Sequence, residues 1–528
     1  MSPRGMCLGS VLAAVLLTSI PGPVLANSDL RLVEAAKNRD TKAVPALVKQ
    51  QVDVNTRQPD GATALHWAAH WDDLEMANLL IRAGANLNAA NEYGVTALSI
   101  ACNDGSAAMV ETLLKAGANP NDALPGGETA LMSAARTGRL GAVKALLAHG
   151  SDVQAKEELR GQTALMWAVA ERHVDVARTL IEHGANVRAR SNSGFTPLLF
   201  AAREGDVDLA RLLLAHGAEV NETDSGGASV LLVATVRGHA DLVMLLLDRG
   251  ANPNEDGGGY TPLHWAAGTS ESGSTYDLHQ VESGEWSALA GIPTREGKLA
   301  VVAALLAHGA NPNVRVSKDP PRFGYSQFKR QYLIGATPFY LAAQAGDVDV
   351  MRLLLAKGAD PQLTSKDNTP PLVVAAGVAQ GSGESRVPET RHLDAVKMLL
   401  DAGADINAVN SAGLNALHAA TYAGFDTVVQ FLADKGIRLN EKTKAGQTAL
   451  GIAEGNFLSG FFFDRPGTAA LLRKMGAVSE GAVTLESFIK GKVRRSNTEQ
   501  SEQPQQSSSP TSEQRKTGST PEVPKTQR

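Results

Sequence analysis

The phrase Thr63-Ala64-Leu65-His66-Trp67-Ala68-Ala69 returns down the chain in recognisable variants that begin at positions 96, 129, 163, 196, 229, 261, 337, 370, 415 and 448. Successive copies lie 33, 33, 34, 33, 33, 32, 76, 33, 45 and 33 residues apart. A unit held near 33 residues through so many copies constrains the chain to a stack. A segment of that size buries its apolar faces only against neighbours like itself. The two long steps, of 76 and 45 residues, admit extra chain. What the stack does not dictate is expected there.

Independent signals agree within each unit. A glycine stands two positions before the phrase at Gly61, Gly94, Gly127, Gly161, Gly194, Gly227, Gly259, Gly335, Gly413 and Gly446, where a tight turn needs a positive φ. Asn368 takes that place before Pro370, and asparagine tolerates the left-handed region. A second apolar run ends in glycine, as in Leu146-Leu147-Ala148-His149-Gly150 and Leu305-Leu306-Ala307-His308-Gly309, and reads as a helix with its C-terminal stop. Pairs such as Asn119-Pro120-Asn121, Asn252-Pro253-Asn254 and Asn311-Pro312-Asn313 then supply turn chemistry. Each unit is a turn followed by two antiparallel helices, which predicts an all-α repeat solenoid.

The phrase and its period resemble the ankyrin repeat, whose signature is T-P-L-H-x-A at 33 residues. With a degenerate first unit near 30–48, the resemblance implies about twelve units in an elongated superhelix over 27–480. Insertions fall near 268–297, 315–334 and 377–391, and Phe457, Phe461, Phe462 and Phe463 are expected to cap the last core.

Residues 1–26 read as a secretory signal, with Arg4, an apolar run from Met6 to Ile20 and the small-residue site Val24-Leu25-Ala26. The apolar run is too short to span a bilayer. Export to the periplasm or outside the cell is therefore expected. Removal of Cys7 with the signal leaves Cys102 alone, at a position held by alanine in other units, as a small core residue. A short helix over 481–490 and a disordered polar tail over 491–528 are expected to follow the stack. With a formal charge of −5, the chain offers no overall basic surface for nucleic acid.

Several residues look chemical without forming a site. His66, His264 and His418 hold the fourth position of the phrase and are expected to bond locally within the turn and helix start. His149, His183, His216 and His308 recur near second-helix ends, where equivalent positions about 8–10 Å apart are too distant to share a metal. Trp67, Trp167 and Trp265 alternate with Ile100, Phe200, Val233 and Leu341 at one position, as core residues do. His279, Glu282 and Glu285 could converge on a helix face for metal or proton chemistry, but three such residues arise easily by chance in a polar segment, and a solvated helix is the simpler reading. No catalytic group, metal or cofactor is assigned.

In the ankyrin family, partners dock on the concave side, made by hairpin tips and the exposed ends of first helices. Carried over by position, the resemblance selects Trp71, Tyr93, Arg160, Phe195, Arg203, Arg237 and Tyr260. The first insertion carries Trp286 among acidic residues, and the second is basic and aromatic, with Arg315, Lys318, Arg322, Phe323, Tyr325 and Phe328; it either presents these to a partner or packs on the Trp286 segment so that the two neutralise one another. Aromatic and arginine side chains dominate protein interfaces. The expected function is binding of another protein by a monomeric stack, with the 268–334 insertions helping. Envelope recognition of a glycan or small ligand is the alternative, and a hydrolase built on the insertion a minor one.

Overall fold

A computed structural model of the 528-residue chain describes residues 29–268, 295–318, 333–377, 388–458 and 461–481, with backbone alone for 456–458 and 461–463. Among the described residues the helices alternate, a first of five to eight residues and a second of seven to thirteen. First helices pack on first helices of the next unit, and second helices on second. The phrase builds the first helix. Its opening Thr96, Thr129, Thr163, Thr196, Thr261 or Thr337 is an extended N-cap whose hydroxyl accepts the amide three residues on, satisfying a donor the helix cannot pair. Its Ala-Ala pairs, such as Ala68-Ala69, Ala134-Ala135 and Ala201-Ala202, are buried and let first helices approach closely. Leu113, Leu146, Leu180, Leu213 and Leu246 of the second helices complete one continuous core.

All ten glycines of the hairpins have φ between 67° and 85°, and Asn368 has φ 58° in the same role. Proximity adds a second constraint. A Cβ on Gly194 would lie 2.5 Å from Ser225 Oγ and 2.6 Å from its backbone nitrogen. Successive hairpins need that closeness, since Asn192 N–H donates to Arg160 C=O and Ser225 N–H to Ser193 C=O.

The asparagine pairs do more than turn the chain. Asn121 donates its side-chain amide to Gly150 C=O at 3.2 Å and accepts Asp152 N–H at 2.7 Å. It thereby clamps its own unit to the helix stop of the next. Asn254 repeats the clamp on Gly309 and Asn311, and Asn313 on Gly358 and Asp360, across the first two insertions. The array is continuous through the gap, and residues 269–294 and 319–332 are additions to it. Asn121→Ala removes both bonds and is expected to cost about 1–2 kcal/mol in urea unfolding. An unchanged midpoint would show that water replaces the clamp without loss.

Two second helices, Arg295–Ala307 and Glu389–Asp401, run to 13 residues where most have nine. Part of what reads as insertion in the sequence, 295–297 and 389–391, is therefore helix. The added turn reaches the next unit. Arg295 pairs with Asp349, Lys298 Nζ bonds Gly268 C=O at 2.8 Å and Asp347 at 2.9 Å, and Glu389 accepts Thr427 N–H and Oγ1–H, both at 2.7 Å. Near the C-terminal end, Asn456–Leu458 and Phe461–Phe463 pair antiparallel as a short hairpin, which the helical period did not announce.

Candidate binding cleft

Every first helix built on the phrase starts at the same register, one residue after its N-cap, so the residues seven and eight positions past that cap line up from unit to unit. Arg136 closes Ala130–Arg136, Glu171 follows Ala164–Ala170, Arg203 and Glu204 close Pro197–Glu204, and Arg237 follows Val230–Val236. Together with Arg160 and Gln162 from one hairpin, and Trp167, Ala170 and Phe200 from the helices, they line a cleft of about 410 Å³. Four arginines against two glutamates leave its lining positive.

Cation and ring are layered in this cleft. The Arg136 guanidinium lies 5.4 Å from the Trp167 ring centre, and that of Arg203 lies 4.9 Å from Phe200, within the range of cation–π attraction. Arg203 also pairs with Glu204 at 2.7 Å, and Arg136 approaches Glu128 at 3.6 Å. Arg237 Nε donates to Arg203 C=O at 3.1 Å. Burial, with a smaller contribution from the Arg203 charge, holds the Arg237 pKa below the ordinary guanidinium range. Arg160 is exposed, and among the described residues its guanidinium has no acidic partner within ion-pair distance. Two donors in the cleft, Trp167 Nε1 and Arg136 Nε, are buried without an acceptor.

Three of the residues selected from the sequence, Arg160, Arg203 and Arg237, thus meet in one cleft. Tyr93 is 52% exposed at its hairpin tip. Phe195 and Tyr260 do not face a partner. They are 1% and 6% exposed, packed on Phe200 and His264 with ring centres 5.4 and 5.6 Å apart. Both follow the hairpin glycine, where the chain turns inward, as buried Ala62, Ala228 and Ala336 show at the same place. Tyr93 and Arg160 precede the glycine and point outward. Trp71 is half-buried and already engaged: it stacks on Trp67 at 6.4 Å, donates Nε1–H to Lys37 C=O at 3.1 Å and lies under Arg39 at 5.4 Å.

Trp167 departs from the sequence reading in the other direction. Expected as core, it is half-buried and lines the cleft, whereas Val233 at the same position is fully buried. Of the basic residues assigned to the second insertion, Arg315 is tied to Gly335 and Thr364 carbonyls and Lys318 to Gly257 C=O. Trp286, Arg322, Phe323, Tyr325, Phe328, His279 and Glu282 lie outside the described residues, as do 1–28 and 482–528.

The histidines of the phrase and of the second-helix ends bond within the stack. In His66, Nδ1 accepts Thr63 N–H at 3.1 Å and Nε2 donates to Val95 C=O at 2.9 Å. His264 does the same between Thr261 and Val314, and His418 between Asn415 and Glu441. His183, His216 and His308 each donate Nδ1–H to the carbonyl four residues back and close the last helical turn. Among the described residues no cluster is placed to hold a metal ion, and no helix is long and apolar enough to cross a membrane. Cys102 is buried, and desolvation pushes its thiol pKa up.

Turn-helix-helix units stacked through side-chain clamps, with a lined cleft at the ends of their first helices, define a helical repeat-stack protein. The profile of ankyrin repeats (3 copies) matches residues 32–123, 92–157, 131–224, 198–275 and 387–459, and that of the single ankyrin repeat matches 334–366. The chain belongs to the ankyrin repeat family, whose members generally mediate protein–protein interaction as scaffolds. It is 29% identical over 157 residues to the ankyrin repeat and KH domain-containing protein mask-1 of Caenorhabditis elegans, covering 30% of this chain and 5% of that protein. Among solved structures it is similar to the human ASB11 ankyrin repeat domain, at 30% identity, 42% of this chain, 98% of that chain and a TM-score of 0.38.

Proposed function

We propose that this protein is a non-enzymatic binding scaffold of about twelve units, whose partner is another protein held on the concave face at the cleft between Arg136 and Arg237. One observation carries the reading: arginine and aromatic side chains from four successive units converge on one surface depression. Such side chains supply most of the energy of protein interfaces. The 268–334 insertions are a second contributor, on the strength of their Arg322, Phe323, Tyr325 and Phe328. The signal-like residues 1–26 support export of the stack to the periplasm or beyond.

Site-specific photo-crosslinking tests this placement. A photo-reactive side chain in place of Leu159, 81% exposed beside Arg160, is expected to capture a partner from an exported fraction. The same group in place of Arg178, exposed on the second helix Val174–Glu182, is not. Equal capture from both positions, or none from 159, would count against the cleft.

A further inference from the structure

We infer that the cleft accepts an extended acidic segment of the partner, about eight residues long, with carboxylates at both ends and apolar side chains at its centre. This rests on the proposed placement of the binding site and adds the chemistry of what fills it.

Three observations lead there. The first is charge: Arg136, Arg160, Arg203 and Arg237 face two glutamates in the lining, and guanidinium pairs best with carboxylate, through two parallel hydrogen bonds. The second is the unmet donors. Trp167 Nε1 and Arg136 Nε lack acceptors, a costly state in a buried site. The Arg136 side chain is 41% exposed, so swinging it off the Trp167 ring opens both donors to an incoming oxygen. The third is spacing. The helices Ala130–Arg136, Ala164–Ala170, Pro197–Glu204 and Val230–Val236 are consecutive neighbours. Three steps of about 8–10 Å separate Arg136 from Arg237, which about eight extended residues at roughly 3.3–3.6 Å each would span.

The same lining sets the pattern. Glu171 and Glu204 stand between the terminal arginines, and half-buried Trp167 presents its ring there, with Phe200 buried beneath the Arg203 guanidinium. A uniformly acidic chain would set its middle carboxylates against those glutamates. An apolar centre instead covers the Trp167 ring, leaving the charges to the ends.

The test is fluorescence anisotropy of the full chain with the labelled peptide Glu-Asp-Ser-Leu-Phe-Ser-Glu-Asp. Its amide counterpart, with Gln and Asn for the acids, and an all-glutamate peptide of equal length serve as comparisons. The patterned peptide is expected to bind at least about tenfold more tightly than either, and to weaken as salt rises. Arg160→Gln, at an exposed position where folding is not at stake, and the pair Arg203→Gln with Arg237→Gln are each expected to weaken it, the pair by about tenfold or more. Arg178→Gln should not. Circular dichroism of each variant verifies its fold. No binding, equal binding of the amide peptide, or insensitivity to the arginine variants would overturn the acidic chemistry, and equal binding of the all-glutamate peptide would overturn the pattern. If position 159 still captures a partner while the acidic peptide neither binds nor competes, the site stands and this inference falls. If 159 captures nothing, the site itself falls.

Discussion

Lys298→Met is expected to lower stability by about 3–5 kcal/mol, the scale for breaking a buried ion pair by removing one partner. The side chains of Lys298 and Asp347 are 8% and 11% exposed, unlike the surface pair Arg31–Asp29 at 63% and 40%. Methionine fills similar space but leaves the Asp347 carboxylate without its cation and Gly268 C=O without its donor. The loss should also have a particular form. A repeat array is roughly a sum of units and nearest-neighbour interfaces, and this lysine bonds one unit to the next. Weakening that single joint is expected to split the thermal unfolding into two steps, one on each side of it. Adding Asp347→Asn to Lys298→Met should restore a substantial part of the stability. Asparagine can still accept Val350 N–H as the N-cap, as Asp347 does at 3.3 Å, and buries no charge. A single-variant melt that overlays the parent would refute the account.

Acidification is the second large effect. In His264 an amide N–H can only donate and a carbonyl can only accept, so its partners fix a neutral ring with the proton on Nε2. A second proton would meet Thr261 N–H in a buried site. Desolvation, the largest cause, accordingly lowers its pKa from 6.5 to about 4. The unfolded chain takes up the proton near 6.5 while the folded chain does not until about 4, so stability is full above the unfolded value and falls as pH drops between the two. For this one group the loss amounts to about 3 kcal/mol. His66, His239, His392 and His418 are lowered mainly by burial and act in the same direction.

Glu222 opposes them. Burial raises its pKa from 4.5 to about 7 against the Thr196 hydrogen bond. Its stabilisation is complete below 4.5 and is lost as pH rises through about 7. Five histidines against one glutamate predict a net decline on acidification from neutral pH. Urea unfolding across the interval from pH 7 to 4 would read it, with His264→Gln as the control: lower stability at neutral pH and a shallower slope. Identical slopes for parent and variant would remove His264 from the explanation.

The repeat, the helix stops, the hairpin glycines and the substitution of Asn368 were all legible in the sequence, because each depends on contacts within a few residues. A Thr N-cap bonds three residues ahead, and a positive φ is a property of one residue. The same locality explains the misreadings. Phe195 and Tyr260 lie near the hairpin tip in sequence, but one step past the glycine turns the side chain onto the helix below, where both are buried. Trp167 was assigned inward because its position is apolar in other copies, yet it lies half-buried in the cleft.

The sequence by itself determined a stack of turn-helix-helix units and the register at which its first helices begin. Tertiary structure decided what that register brings together. Arg136, Arg160, Arg203 and Arg237 gather around two rings from four different units, and Lys298 reaches Asp347 at a separation of 49 residues to fasten the array beside its largest insertion. Neither arrangement follows from a repeating phrase. Repetition encodes what every unit shares, whereas a cleft and a buried ion pair are made by side chains that differ between units and meet only once those units are packed.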